Sequence, residues 1–407
     1  MKNLFIVCVF VVFGSGVFGQ GIKFIEGEKW DNVLRMAQEQ NKYIFMDCYT
    51  SWCGPCKALA KDVFTKNEVG NFFNSTFVNV KYDMEKGEGK ELYTRYKKFI
   101  IGFPTLLLID KNGNVVHQMA GYQEPEVLIA GMKAGVEGKS LFVMQEKYNA
   151  GSRDLGFLNE YVSVLQGAFL KDEIQKVAED YMKSVPVEDL LKKEVWDFVG
   201  EYVKDPYSPQ FNFVVFNFDK YVYRLKVDGY RLERQLTWAL EKAVKDIVEL
   251  KTDEQGHLLP LTDEPEKVNM LLTLLNRGNF KRAEEMRAKL KIHTLKLEEK
   301  WNDVVTYLLV CRDVRALGYT ERFLCESFMY IALHGKDKKV LKRCLPIMEG
   351  VQAKEDMEKD GSNYHGTLAE LYRALGNKQK AEEHQKIDEQ KQKEAEERFR
   401  KMFEKKE

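Results

Sequence analysis

An α/β unit over residues 20–138, followed by an all-α region over 139–384, is the architecture that this sequence predicts. Three observations predict it. Between residues 22 and 135, short apolar runs alternate with segments of helical spacing, the pattern of an α/β layer. From Ser140 onward helical periodicity takes over almost entirely. Between the two textures the composition shifts but no low-complexity linker intervenes: 28 glycines and 9 prolines in 407 residues exclude collagen-like and broadly disordered chains. With 63 basic and 63 acidic side chains, the formal net charge is zero, which argues against a general nucleic-acid binder. Seven cysteines are too few and too unevenly spaced for a disulfide-stapled miniature fold.

The chain opens MKNLFIVCVFVVFGSGVFGQ. Lys2 supplies a positive start, Leu4 to Phe13 an apolar run, and Gly14, Ser15 and Gly16 break it. Val17-Phe18-Gly19 places small residues before a cut at Gln20, so residues 1–19 read as a secretory signal peptide, with a retained anchor as the alternative. Cys8 lies inside that run and is discarded with it. The expectation is a protein exported to a bacterial periplasm or secreted, and soluble once cut.

Glu28 to Lys42 carries Trp30, Val33, Leu34 and Ala37 at helical spacing. Tyr43 to Tyr49 is nearly all apolar with one acid, Asp47, as in a buried central strand. Cys56 to Phe64 is helical by spacing, Phe77 to Asp83 reads as the next strand, and Glu91 to Lys98 as a short helix. Thr105–Ile109 and Val115–Met119 bracket Asp110-Lys111-Asn112-Gly113-Asn114, a hairpin turn. A helix over Glu124 to Ala134 closes the unit.

In the helical region, Phe211, Val214, Val215, Phe218, Tyr221, Val222 and Leu225 mark one face of a single helix. GTLAELYRALGNKQKAEEH sets Ala369, Tyr372, Gly376 and Ala381 at offsets resembling the tetratricopeptide repeat, and Leu271, Leu274, Gly278 and Ala283 repeat them. Small residues let paired helices approach, and the glycine turns the chain between them. An irregular stack of helical hairpins follows, ending in a charged, solvated helix over 385–407.

Trp52-Cys53-Gly54-Pro55-Cys56-Lys57 follows the buried strand and opens a helix. At a helix start, unpaired N–H groups and the dipole stabilise a thiolate at Cys53. That thiolate attacks a substrate disulfide, and Cys56, one turn inward, resolves the mixed disulfide. Pro55 fixes the first turn, where a missing N–H costs little.

The string WCGPCK stands here as it does in the thioredoxin family, which residues 22–136 resemble. Gly102-Phe103-Pro104-Thr105 ahead of a strand, Asp47 six residues before Cys53, and Ala120-Gly121 agree with that family in order. The resemblance implies a central mixed sheet flanked by helices and a redox disulfide between Cys53 and Cys56. It also implies a buried Asp47 that moves the proton of the inner cysteine, and a cis Pro104 facing the disulfide. Trp52, Gly54, Pro55, Phe103, Pro104 and Gly121 would then form the substrate groove. Two positions depart from the family: Tyr49 stands where many members carry tryptophan, and the charged partner of the acid falls on Asn79 or on Lys81. The amino-terminal hairpin of the cytochrome-maturation thiol reductases is lacking.

Zinc needs further ligands, and neither a second CxxC nor ligand spacing among His117, His257, His293, His334, His365 and His384 supplies them, so no metal and no cofactor is expected. Cys48 points away from Asp47 as a buried apolar side chain, and Cys311, Cys325 and Cys344 lie in helical text, where packed thiols outnumber bridged ones. The functional expectation is a thiol–disulfide oxidoreductase that reduces protein disulfides. It would be supplied with electrons by a membrane thiol donor and would not bind nucleic acid. Two alternatives stand beside it: a scaffold whose helical domain binds a peptide or protein client, and a disulfide isomerase.

Overall fold

The computed structural model describes residues 21–254, 258–313, 320–351 and 364–404. The expected signal peptide over 1–19 and His257 lie outside the described residues. The chain divides into two compact units, one running to Pro186 and taking in Asp197–Tyr202, the other comprising Val187–Trp196 and the chain from Val203.

The first unit is built on five strands: β1 (Ile25–Glu26), β2 (Tyr43–Tyr49), β3 (Phe77–Asp83), β4 (Thr105–Ile109) and β5 (Val115–Ala120). Their spatial order is β1-β3-β2-β4-β5. β1, β3 and β2 run parallel, whereas β4 is antiparallel to both β2 and β5, so the sheet is mixed. β2 is central and almost wholly buried, which is why its sequence reads as a continuous apolar run rather than an alternation.

The pleat sends successive side chains of β2 to opposite faces. Ile44, Met46 and Cys48 join one core with Val33 and Ala37 of α1 (Trp30–Gln40) and with Leu92 and Tyr96 of α4 (Glu88–Tyr96). Phe45 joins the other core with Leu59 of α2 (Gly54–Asp62), Phe73 of α3 (Asn67–Thr76), and Leu128 and Met132 of α5 (Pro125–Val136). Phe45 meets Phe73 edge-on at 4.6 Å between ring centroids. Burying a ring of that size contributes roughly 2–3 kcal/mol. The expected hairpin turn closes with Asp110 Oδ1 accepting the backbone N–H groups of Asn112 and Asn114.

Two elements had no counterpart in the sequence reading. β1 spans two residues, too few to show a period. α3 carries Val69, Phe72 and Phe73 at helical spacing, so its signal was present but short. Three more helices, α6 (Leu141–Asn149), α7 (Leu155–Gly167) and α8 (Lys171–Ser184), belong to the first unit. α6 and α7 pack on β5, one of the two edge strands of the sheet.

Among its described residues, the regular structure of the second unit is helical, apart from an isolated bridge between Thr252 and Leu258. One of its cores gathers Ile292, Val304, Leu308, Leu324, Phe328, Leu341, Met348 and Leu371. The single helix expected over 211–225 is two, Pro209–Phe216 and Phe218–Tyr223. Asn217 breaks it: its side-chain amide donates to Phe213 O at 2.8 Å, and its own carbonyl accepts from Lys220 N–H. Asparagine competes with the helix in this way wherever its short amide reaches the backbone.

The two expected hairpins use glycine differently. Gly376, with φ +87°, turns the chain between Tyr364–Ala374 and Lys378–Glu404, with Ala369, Tyr372 and Ala381 buried. Gly278 ends Pro265–Arg277 in extended backbone at φ −87°. There a side chain would collide with the ring of Phe280, so room rather than conformation requires glycine.

Candidate functional site

Cys53 and Cys56 form a disulfide with 5.3 Å between their Cα atoms. The local sequence sets that geometry. Cys53 is the N-cap of α2, held in place by its N–H donating to Thr50 O at 3.2 Å, and Pro55 lies in the first turn. The Cys56 N–H donates to Cys53 Sγ at 3.1 Å, so an otherwise unpaired helix amide points at the sulfur. Both cysteines are largely buried, whereas Trp52 beside them is 66% exposed.

Asp47 is buried in β2, on the face that carries Phe45, which packs against Leu59 of α2. Its Oδ1 has no hydrogen-bond partner. Burial pushes the carboxyl up to about 7, opposed by the charge of Lys81. Lys81 stands opposite Asp47 in the β2–β3 register, and its Nζ pairs with Glu26 at 3.0 Å. Asn79, the other expected partner of the acid, is opposite Phe45 and turns its amide to Phe73 O and Asn74 Oδ1. The charged neighbour of Asp47 is therefore Lys81. Cys48 lies on the opposite face in an apolar core, its thiol pushed up by burial and then by Asp47.

The Phe103–Pro104 peptide is cis. Thr105 Oγ1 donates to Gly102 O at 2.6 Å and ties this loop together. Phe103 meets the Trp52 ring edge-on at 6.2 Å, and the Tyr93 ring lies 6.4 Å from that of Phe103. The Gly121 N–H donates to Pro104 O at 2.8 Å, and Gly121 has φ +72°, a left-handed conformation that favours glycine. Of the residues expected to form a groove, Trp52, Phe103, Pro104 and Gly121 thus join in one run of contacts beside the disulfide. Gly54 and Pro55 lie in the first turn of α2.

Sequence reasoning missed three neighbours. Glu85 accepts the Trp52 indole N–H at 3.0 and 3.1 Å and fixes the ring's tilt. Tyr93 extends the aromatic surface. Phe169 rests on Gly121 from far along the chain. None carries a local motif; each arrives through tertiary folding.

Cys48, Cys311, Cys325 and Cys344 carry no disulfide, and all four are buried. Among the described residues, no group of three or more histidine, cysteine or acidic side chains could hold a metal ion.

A family model described as a thioredoxin-like domain matches residues 30–135. A thioredoxin-like protein of Synechocystis is 32% identical over 102 residues, which are 25% of this chain and 90% of that protein. The thiol:disulfide interchange protein DsbD of Yersinia pestis is 32% identical over 82 residues, which are 20% of this chain but only 13% of that protein. A solution structure of a candidate disulphide-isomerase from Bacteroides thetaiotaomicron is 44% identical, with 29% of this chain and 96% of that one covered and a TM-score of 0.27. Through its first unit, the chain belongs to the thioredoxin-like family and is a thiol–disulfide oxidoreductase.

Proposed function

We propose that the chain is an exported reductase of protein disulfides, in which Cys53 is the nucleophile and Cys56 the resolving thiol. In the reduced protein, the Cys53 thiolate attacks one sulfur of a substrate disulfide, and the other sulfur leaves as a thiolate. Cys56 then gives up its proton and attacks Cys53 Sγ, expelling the second substrate thiolate and leaving the Cys53–Cys56 disulfide. Two electrons pass to the substrate. The observation that carries this reading is the pair itself: a disulfide at the N-terminus of α2, with the Cys56 amide aimed at Cys53 Sγ. The same amide stabilises the Cys53 thiolate once the bond opens.

Asp47 suits the proton transfer, because a carboxyl held at about 7 accepts and returns a proton near neutral pH. Trp52, Phe103, Pro104 and Gly121 form the groove that seats the substrate, with Gly54 and Pro55 setting the turn that presents Cys53. The leader-like sequence pattern over residues 1–19 supports export. In an oxidising space a reductase needs electrons from outside, and this reading assigns them to a membrane thiol donor. Among the described residues no helix is long and apolar enough to cross a membrane.

The test is the rate of protein-disulfide reduction by the full chain. Cys53→Ser abolishes it, and Cys56→Ser leaves a trapped mixed disulfide; full activity in Cys53→Ser sinks the mechanism. A reduction potential near roughly −270 mV fits a reductase, and one between about −180 and −120 mV an isomerase or oxidase.

A second reading, a client-binding helical region over 139–384, has one observation in its favour. Tyr230, Arg234 and Trp238 form an exposed stripe along the helix Gly229–Val248, with Tyr230 and Trp238 72% and 57% exposed. Trp238→Ala weakens client retention if that stripe is used, and leaves it unchanged otherwise.

A further inference from the structure

Phe169 stands outside the residues that match the family, at the turn between α7 and α8. After α7 ends at Gly167 and its cap Ala168, Phe169 adopts φ +57°. Its N–H donates to Gln166 O and the next N–H, of Leu170, to Leu165 O, both at 3.0 Å, which closes the helix end. Glycine is the usual residue for this left-handed position, and a bulky side chain there is an outlier. The sequence instead keeps a phenylalanine, 48% exposed.

Its ring has a definite seat. A methyl group placed on Gly121 would stand 2.8 Å from Cε2 and 2.9 Å from Cζ of Phe169, so the ring lies directly on the glycine. Gly121 in turn is hydrogen-bonded to Pro104, and Phe103 touches Trp52 next to Cys53. An unbroken series of contacts therefore links the disulfide to an aromatic ring contributed by the helical extension. One part of that ring covers Gly121, and the rest faces water.

We propose that Phe169 is a specificity-determining residue for thiol–disulfide exchange: it walls the groove beyond Gly121 and selects substrates with an apolar side chain next to the disulfide-bonded cysteine. The proposal rests on the reductase reading of Cys53 and Cys56 and adds the substrate class. The walls are the rings of Phe169, Phe103 and Trp52. An apolar neighbour gains by leaving water against them, whereas a hydroxyl or charge there loses hydration without gaining a partner. The chemistry of Cys53 and Cys56 is unaltered.

The full chain, reduced with dithiothreitol and freed of it, is mixed with two peptides that differ only in Leu or Ser before a single cysteine. Each peptide is supplied as a mixed disulfide with thionitrobenzoate. The Cys53 thiolate attacks the peptide sulfur, coloured thionitrobenzoate leaves with the electron pair, and Cys56 then expels the peptide thiolate. The small disulfide dithiobis(nitrobenzoate), which carries no peptide side chain, serves as the reference substrate. The wild type prefers the Leu peptide by about fivefold or more in second-order rate, the scale of one modest interface contact. Phe169→Ala abolishes that preference while keeping the small disulfide within about twofold, and Phe169→Tyr retains both. A wild type without preference, or a Phe169→Ala variant that keeps it, overturns the proposal. So does a Phe169→Ala variant that is slowed equally on all three substrates, because the ring then only supports the Gly121 turn. If the wild type reduces none of them, including the small disulfide, the reductase reading fails and takes this one with it.

Discussion

Asp47 is a carboxyl group with an orphaned oxygen in a central strand, and its cost to the fold is measurable. Below about pH 4 it is protonated in both folded and unfolded chains. As pH rises toward 7 the unfolded chain ionises it first, so the folded state, whose Asp47 holds its proton up to about 7, loses stability across that window. We predict that the urea stability of oxidised Asp47→Asn, minus that of the wild type, grows between pH 4 and 7 by on the order of 2–4 kcal/mol and then levels off. Parallel pH curves would remove Asp47 as the cause. In the reduced protein the same substitution slows the Cys56 step about 10- to 100-fold, with the first attack by Cys53 unchanged, as stopped-flow mixing would resolve. Asp47, Cys53, Cys56 and Pro104 were legible in the sequence because each sits at a fixed offset from a motif or in a strand with a strong apolar signature. Glu85 and Phe169 were not, since what places them is the three-dimensional return of the chain to Trp52 and Gly121.

Among the elements, α6 is fastened to β5 by a histidine that must stay neutral. His117 is buried, and its Nδ1 accepts the backbone N–H of Leu141 at 3.1 Å, the first residue of α6. Burial lowers the imidazole to about 4, below its ordinary value. The stability it lends is therefore fully present above about pH 6.5 and lost as pH falls through 4, when the ring must charge and Nδ1 can no longer accept. His117→Asn, which keeps an acceptor oxygen near Nδ1 without titrating, should flatten the wild-type loss of urea stability between pH 6.5 and 4. An unchanged slope would show that other groups control it. Elements were readable where period and length were both strong, as in β2, β3 and α5. They were not where an element was too short to show a period, as in β1, or where one side chain overrode a continuous pattern, as Asn217 does.

At the scale of the molecule, the family match ends at residue 135 but the compact unit does not. α6 and α7 cover the outer strand β5, and Tyr148 of α6 donates to Asp180 of α8 at 2.7 Å. An uncovered outer strand exposes unpaired backbone groups and apolar side chains, which destabilises a sheet and invites aggregation. A fragment of residues 21–138 should thus melt at least a few degrees below one of residues 21–202, since a loss of about 1 kcal/mol moves the midpoint of domains in this size range by roughly 2–8 °C. Equal melting temperatures would mean that the helices added between residues 139 and 202 are passengers. The chain also leaves the first unit after Pro186, returns to it for Asp197–Tyr202 and leaves again. For a gene, that weave is a constraint. Exchanging either unit as an intact block takes three coordinated breakpoints instead of one. An engineered swap joined only at Pro186 would leave Asp197–Tyr202 of the first unit behind on the wrong side of the joint.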